Sequence, residues 1–303
     1  MELQQVWIVQ GVFFTLAFIG FFLKRKNLIK SENKGFLTDL VLNVFLPFSI
    51  VNSFQMSFEA DMAKTFGVLV GLSIGVVILS YFLGPFLFSK YTIEQKNVLR
   101  FGTLISSAAF IGMPVAESFY GSQGLMYASI YVIPIRVAVW TVGMSIFTGD
   151  KGDKGTLKKV VGHPCMIAIY IGVAIMISGI RFMEPIETTV VMLSRCTTPL
   201  VLLLIGSIIG EIEDLKTMFA WDAIRFSVIR VIVIPVIVYF ITLILQIDPV
   251  VGGVAVLLAA MPATSVTPVL AEKFNSDYVL GTKIVVLSSV LSLLSIPIWR
   301  MVL

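Results

Sequence analysis

Charged and turn-forming residues divide the chain into ten apolar segments, each close to the length of a membrane-spanning helix. A helix that crosses a bilayer needs about 20 apolar residues at a rise of about 1.5 Å per residue. The pattern therefore predicts an all-α integral membrane protein with ten transmembrane helices. We expect these spans at about 3–23, 35–56, 64–88, 101–120, 124–148, 163–181, 188–210, 225–245, 250–272 and 278–302.

Composition also places the chain in a membrane rather than in water. Of its 303 residues, 57% are hydrophobic and 13% are charged, and the mean hydropathy is +0.98. These values lie far outside those of soluble domains, so the lipid bilayer is the expected environment. Residues 3–23 lack a basic leading region and a small-residue cleavage site, so we interpret this segment as a retained transmembrane helix.

Basic residues are distributed unevenly between the connections. Lys24, Arg25 and Lys26 lie in the first connection, further basic residues lie in the third and fifth, and the even-numbered connections carry few. The positive-inside rule then predicts cytoplasmic odd connections and two extracytoplasmic termini in a cell membrane. This topology accounts for the net charge of +4, which therefore does not indicate a nucleic-acid partner.

Residues that carry metal or cofactor chemistry are sparse. The single histidine, His163, and the two cysteines, Cys165 and Cys196, lie at no spacing typical of a metal site or a disulfide framework. The sequence has no phosphate-binding glycine loop and no zinc-protease motif. We therefore predict no cofactor, no metal and no enzymatic activity.

The fourth segment is interrupted near its middle by Gly112-Met113-Pro114. Proline removes a backbone hydrogen bond and clashes with the preceding turn, so the pattern predicts a broken helix. Within lipid, the freed backbone groups must be buried in protein or face a water-filled cavity, and the break is therefore either a packed kink or part of a solute site. The ninth segment offers two equivalent prolines. Depth favours Pro262 as its break and sequence matching favours Pro268, and both stay open here.

An internal repeat is visible around these prolines. The sequence that begins at Pro114 and runs to Ser122 resembles the sequence from Pro268 to Ser276, and Pro47 and Pro199 lie 67 and 69 residues upstream of the two. Five spans in each half make the second copy inverted in the membrane. We therefore predict a 5+5 inverted repeat, with residues 1–148 as the first repeat, 149–162 as a cytoplasmic linker and 163–303 as the second repeat.

Five stretches, residues 19–29, 42–47, 110–114, 261–268 and 288–297, carry a family resemblance by their order and spacing. Together they resemble the auxin efflux carrier family, which includes the plant PIN-FORMED carriers and bacterial malate and malonate permeases. The resemblance covers nearly the whole chain. It implies that broken helices four and nine cross at mid-membrane beside the solute, that this bundle moves like an elevator against a scaffold containing spans two and seven, and that the protein forms a homodimer.

One position departs from the PIN-type pattern. Those members tend to carry Asn seven residues before the span-four proline, and this chain has Ser107 there. The general site is expected to carry over, whereas the substrate is not.

The candidate solute site suits an anion. Two interrupted helices would direct half-helix N-termini, which carry partial positive charge, towards one point. Arg136 and Arg195 lie within spans, where a charge is kept only if it faces protein or water, and either could pair with a carboxylate, with Glu117 or with Asp39. Arg230 is expected to extend towards the membrane surface. The residues predicted to bind substrate are Asn43, Ser106, Ser107, Gly112, Met113, Pro114, Arg136, Arg195, Pro262, Thr264, Thr267 and Pro268.

Two carboxylates occupy equivalent places in the repeats. Glu117 and Glu272 lie three and four residues after their prolines, and they are candidate carriers of a coupling proton. The alternative is that both are simply solvated near helix ends.

These features predict a secondary transporter of small organic anions, either mono- or dicarboxylates. One alternative is a sodium-coupled symporter of the bile-acid-carrier type, with sodium near Thr264 and Thr267; another is a membrane sensor that uses the same pocket. Ser73 within Gly71-Leu-Ser-Ile-Gly75 matches a hydrolase pattern, but we interpret these glycines, with Gly67, as a helix-packing stripe. Gly206 and Gly210 form a similar pair that would pack against a helix or serve a dimer.

Overall fold

The computed structural model describes residues 3–55, 60–148, 161–210 and 220–303, and the chain is helical throughout these ranges apart from short connections. The all-helical class predicted from the hydrophobic pattern is confirmed. The predicted linker 149–162 lies outside the described residues, except for its last two.

The helices are α1 (Leu3–Arg25), α2 (31–53), α3 (Ala60–Leu87), α4 (Ile93–Leu104), α5 (108–120), α6 (122–148), α7 (Pro164–Ser178), α8 (Glu184–Gly210), α9 (221–244), α10 (Pro249–Ala259), α11 (Val266–Lys273) and α12 (Tyr278–Val302).

Seven stretches of the described chain are long and apolar enough to cross a bilayer. One of them, Ala108–Thr148, has 41 residues and contains both α5 and α6, and the shorter helices α7 and α10 are also apolar. Large apolar side chains cover the outside: Phe82 is 68% exposed and Phe86 is 80% exposed. Such a surface is stable against lipid, and the chain is a multi-pass membrane protein. The seven stretches are Trp7–Arg25, Gly35–Ser53, Met62–Leu87, Ala108–Thr148, Glu184–Gly210, Trp221–Ile244 and Tyr278–Val302.

Short π-helical turns accommodate three prolines within long helices. The turns Val41–Phe45, Ala108–Gly112 and Ile229–Val233 each end two residues before a proline, namely Pro47, Pro114 and Pro235. In each case the residue before the proline donates its N–H to the carbonyl five residues back. The wider turn relieves the clash between a proline ring and the carbonyl four residues before it, so the helix continues instead of breaking.

The expected break of span four at Gly112-Met113-Pro114 is wrong, because a π-helical turn accommodates the proline. Gly112, Met113 and Pro114 are helical, and the interruption lies at residues 105–107, between α4 and α5. In the ninth predicted span the interruption covers residues 260–265 and contains Pro262, while Pro268 lies within α11.

The chain reverses direction between α5 and α6 at Gly121. This residue has φ 63° and ψ −156°, a conformation that L side chains rarely adopt. A β-carbon at Gly124 would collide with the carbonyl oxygen of Ala116 and with Tyr120, so the two helices fold back on each other there.

Four helices form one packed group, α1, α2, α7 and α8. Helices α1 and α8 make the most extensive contact in the described chain, and β-carbons at Gly20 or Gly206 would collide with the opposite backbone. Helix α2 packs on α8 through the buried Ser49 hydroxyl, which lies 3.0 Å from the hydroxyl of Ser194 and 2.9 Å from that of Thr197. The Gly206 face is thus used within the chain and is not free for a second copy.

The other helices form a second group around the two interruptions. Within it, α4 contacts α9 and α12 at Gly102, and α11 contacts α12 where Gly281 meets Pro268. Trp299 of α12 donates its indole N–H to the carbonyl of Val231 in α9, at 3.3 Å.

The glycine stripe of α3 differs from its expected role. A β-carbon at Gly67, Gly71 or Gly75 would meet nothing within 4 Å, so the expected close packing at these glycines is wrong for the described chain. Gly71 and Gly75 instead line an open apolar groove of about 430 Å³ between α3 and α9. Ser73 is fully buried in the middle of the helix, a position without access for a substrate.

The α3–α4 connection, the start of α9 and the residue before α12 lie at one end of the molecule. The Tyr91 hydroxyl, in the α3–α4 connection, donates to Asp222 at the start of α9 at 2.6 Å. Gln95 near the start of α4 donates to Asp277 before α12 at 3.5 Å. Partial burial, followed by the hydrogen bond to Asp222, raises the pKa of the Tyr91 phenol.

Candidate functional site

The two helix interruptions meet in the second group of helices. Ser106 and Ala263 form an antiparallel bridge, and the Ser107 N–H donates to the carbonyl of Pro262 at 2.8 Å. Proline supplies no backbone donor of its own but keeps its carbonyl, so the bond uses the group that Pro262 retains. One end of each of the helices α4, α5, α10 and α11 therefore lies at this contact, which we call the crossing (residues 105–107 and 260–265).

Side chains of α12 satisfy backbone groups that the α10–α11 interruption frees. Ser292 donates to the carbonyl of Ala260 at 3.2 Å, and Ser288 accepts the N–H of Ala263 at 3.2 Å. Both serines are buried. Within a bilayer such backbone groups have no water to bond. The two serines therefore replace water as hydrogen-bond partners and stabilise the non-helical residues of the interruption.

Arg230 of α9 lies at the crossing. Its side chain is 1% exposed, its Nε donates to the carbonyl of Met261 at 3.2 Å, and its Nη1 donates to the carbonyl of Thr103 at 3.3 Å. The expectation that Arg230 extends to the membrane surface is wrong. Because α9 begins at Trp221 rather than near 225, Arg230 lies well inside Trp221–Ile244.

A cavity of about 180 Å³ opens beside the crossing, on the N-terminal side of two half-helices. Ser107 precedes α5 and Thr264 precedes α11, and both line the cavity. The residues directly before the two helices, Ser107 and Ser265, make no side-chain cap among the described residues, although the Thr264 hydroxyl accepts the N–H of Val266 at 3.5 Å. Helix N-termini carry partial positive charge and bind anions. The lining consists of Leu42, Phe101, Ile105, Ser106, Ser107, Ala109, Phe110, Val132, Ile135, Arg136, Val139, His163, Thr264 and Val266.

Arg136 supplies the cavity with a cation that has unused donors. Its Nη1 donates to His163 Nδ1 at 3.0 Å, and the guanidinium also interacts with the Cys165 thiol, while its Nε and Nη2 are buried with no hydrogen-bond partner among the described residues. Neither of the acidic partners considered for it, Glu117 or Asp39, bonds it. Two free donors on one guanidinium match the two oxygens of a carboxylate.

His163 is held in one tautomer at the edge of the cavity. Its Nδ1 accepts the N–H of Cys165 at 3.2 Å as well as the bond from Arg136. An imidazole nitrogen that accepts cannot carry a proton, so the ring is neutral with its proton on Nε2. Sequence reasoning missed this residue as part of the site, although its place before Pro164 at a helix start was visible.

Other predicted site residues lie outside the cavity. Gly112 and Met113 are buried, and a β-carbon at Gly112 would press on Leu258 and Met261 of the α10 end. Pro114 is buried beside them. These residues therefore set the close packing of α5 on α10.

The polar residues predicted in α2 and α8 are also displaced from the cavity. Asn43 and Arg195 are exposed, although Leu42 beside Asn43 does line the cavity. The polar cluster around Arg195 contributes instead through Thr197, which bonds Ser49.

The structure separates the two candidate proton carriers. Glu117 is partly buried and Glu272 is exposed, and neither lines the cavity. Thr267 is fully buried, and no described residue makes a hydrogen bond with its hydroxyl.

Comparison with known proteins identifies relatives along almost the full length. Residues 12–300 match the family model described as membrane transport protein. A transporter of uncharacterized activity from Methanocaldococcus jannaschii is 25% identical over 297 residues, which cover 95% of this chain and 96% of that protein. Another from Methanothermobacter thermautotrophicus is 26% identical over 299 residues, 95% of each chain. The chain therefore belongs to the membrane transport protein family, which is the auxin efflux carrier family, and it is a membrane transporter.

Proposed function

We propose that the protein is a secondary transporter of small organic anions, which bind in the cavity beside the crossing. The observation that carries this proposal is the pair of buried donors on Arg136 that have no partner among the described residues, in a cavity that the N-termini of α5 and α11 also face. A carboxylate compensates the guanidinium and suits the partial positive charge of a helix N-terminus, whereas a neutral or cationic solute leaves the guanidinium uncompensated.

The cavity volume favours a small acid. About 180 Å³ is below the roughly 300–1,000 Å³ of sites that hold drug-sized ligands. We therefore propose mono- or dicarboxylates of the malate or malonate class as substrates rather than an indole acid.

An inverted repeat of ten spans fits the arrangement of the helices. Counting α4 with α5, and α10 with α11, as one broken span each gives five spans in residues 1–148 and five in 163–303. The proposed equivalent spans then meet in pairs: α2 bonds α8 at Ser49, and the two broken spans bond each other at Ser107. Such pairwise contact is expected for halves related by a two-fold axis in the membrane plane.

Movement of the second group of helices against the first would give alternating access. The cavity lies on the boundary, because Leu42 and His163 come from the group α1, α2, α7 and α8, while Arg136, Ser107 and Thr264 come from the other group. An elevator-like shift of the crossing would carry the bound anion along the surface of the group α1, α2, α7 and α8, from one side of the membrane to the other. The end that contains Tyr91, Asp222 and Asp277 is proposed to be cytoplasmic, as the basic connections indicate, with both termini outside.

Counterflow in liposomes tests the proposal. Purified protein is reconstituted into vesicles loaded with unlabelled malonate, malate, an amino acid or indole acetate, and uptake of the labelled compound is followed. We expect exchange of small carboxylates by the unmodified protein and by Arg195→Gln, a matched control that removes an exposed arginine. Arg136→Gln is expected to lose exchange. Exchange of a neutral or cationic solute in place of every carboxylate would contradict an anion site, and binding without any exchange would favour the sensor alternative.

A further inference from the structure

Arg230 occupies a place where transporters with broken helices commonly hold a cation. The C-terminal ends of two half-helices, α4 and α10, meet at the crossing, and helix C-termini carry partial negative charge. Unwound backbone carbonyls and such C-terminal ends are the ligands that coordinate sodium in several transporter folds.

The carbonyls that would serve as ligands are already occupied here. Thr103 lies in the last turn of α4 and Met261 lies just after α10, and both carbonyls accept hydrogen bonds from Arg230, at 3.3 and 3.2 Å. Two further carbonyls of the same interruption are also engaged: that of Ala260 accepts from Ser292 and that of Pro262 accepts from the Ser107 N–H.

No carboxylate pairs with Arg230 among the described residues, so its charge is balanced in another way. The titratable group that interacts with it is the Tyr131 phenol, which is buried and uncharged as a hydroxyl. A buried guanidinium without compensation would cost several kcal/mol. The two helix ends and their carbonyls supply the compensating partial negative charge, and this explains why the charge is retained in an apolar segment.

We propose that Arg230 is a tethered counter-ion that takes the place of a coupling metal ion at the crossing. It holds the C-terminal ends of α4 and α10 together through every step, so the crossing does not gain or lose a cation when the anion binds. The inference rests on the proposed anion transport for its kinetic consequence, which is exchange that does not depend on sodium. Its structural consequence, a site closed to sodium until Arg230 is shortened, holds whatever the solute.

Two measurements test it on the full chain. The first is thermal unfolding of detergent-purified protein in sodium chloride titrated against choline chloride at constant ionic strength, which needs no substrate. The unmodified protein, Arg195→Ala and Arg230→Met are expected to show no sodium-dependent shift in Tm, because Met fills the space. Arg230→Ala is expected to unfold at a lower temperature and to regain several degrees with sodium, since the freed carbonyls of Thr103 and Met261 then have a cation to bind.

The second measurement is malonate counterflow in the same two salts. The unmodified protein is expected to exchange equally fast in both, and Arg230→Ala to be slower by about tenfold and faster in sodium than in choline. If no solute exchanges at all, the proposed function fails, while the thermal titration still decides the role of Arg230.

Three results would overturn the inference: a sodium-dependent rate or Tm in the unmodified protein, a folded Arg230→Ala protein that lacks the sodium shift, or Arg230→Ala exchange at the unmodified rate. If Arg230→Ala yields no folded protein, Arg230→Lys decides. Its ammonium keeps the charge, so the expected result is sodium-independent unfolding, and sodium-dependent unfolding of this variant contradicts the proposal.

Discussion

Arg136 and Arg230 are both arginines within membrane-spanning helices, but their surroundings differ in one respect. Arg230 gives two donors to carbonyls at helix C-termini, whereas Arg136 has, within the part of the chain that the structure describes, two buried donors without partners beside helix N-termini. A cation at the negative ends of helices is compensated within the fold, and a cation at their positive ends is not. We therefore propose that Arg230 serves the architecture and that Arg136 is left for a ligand.

The largest expected effect is the loss of stability in Arg230→Met. Removing the guanidinium leaves the carbonyls of Thr103 and Met261 buried without donors, at about 1–3 kcal/mol each. We expect Tm, measured by thermal unfolding in detergent, to fall by several degrees. Arg195→Met, at an exposed position, is the control and should leave Tm unchanged. An Arg230→Met protein as stable as the unmodified chain would make the two arginines equivalent and break the comparison.

Arg136→Gln is expected to act on ligand binding instead. Loss of the charged partner of a carboxylate weakens affinity by about 100-fold, or about 3 kcal/mol. Tm without ligand should not fall, because two of the donors removed were unpartnered. The check is a malonate titration followed by the ligand-induced rise in Tm. A variant that loses ligand-free stability as Arg230→Met does, but binds malonate normally, would assign Arg136 to the architecture.

Ser288→Ala and Ser292→Ala test whether side-chain hydrogen bonds stabilise the α10–α11 interruption, as the bonds from Arg230 do. Each change removes the partner of one backbone group in the α10–α11 interruption, and each should cost about 1–3 kcal/mol of unfolding free energy. Ser145→Ala, which removes a hydroxyl bonded only within its own helix, is the matched control. Equal Tm values for all three variants would mean that the interruption does not need these hydroxyls.

Arg136→Lys is expected to have the smallest effect. Lysine keeps the positive charge but lacks the planar fork, so malonate should bind about tenfold more weakly, which corresponds to about 1.4 kcal/mol. The same Tm titration measures it. Affinity as low as that of Arg136→Gln would show that geometry, rather than charge, dominates the site.

Much of the fold followed from the sequence because the spans are long and apolar and their boundaries are charged. The break in the fourth segment was misplaced by several residues, from 105–107 to Gly112–Pro114. A proline in the sequence does not distinguish a broken helix from a π turn, since either one relieves the clash between the proline ring and the carbonyl four residues before it. The position of Pro262 in its interruption, in contrast, agreed with its depth in the segment.

The site was predictable only in part. Arg136, Ser106, Ser107 and Thr264 do line one cavity. Arg195 carried the same intramembrane-charge signal, but which face of a helix it occupies depends on packing and not on residue type. Arg230 also carried that signal and was misjudged because an error of four residues in the start of α9 moved it from the middle of the span to its end.

The contact between α1 and α8 has a consequence for how chain length can vary in this protein. Gly20 and Gly206 bring the two backbones together with no space for a β-carbon. A slip of one residue, about 1.5 Å along the axis, would place a side chain where only hydrogen fits. Insertions or deletions near these glycines are therefore incompatible with the contact between α1 and α8. Differences in length between related chains should fall in the connections between helices. The same close contact fixes the axial position of α1 relative to α8, so the proposed elevator movement would have to occur between other helices.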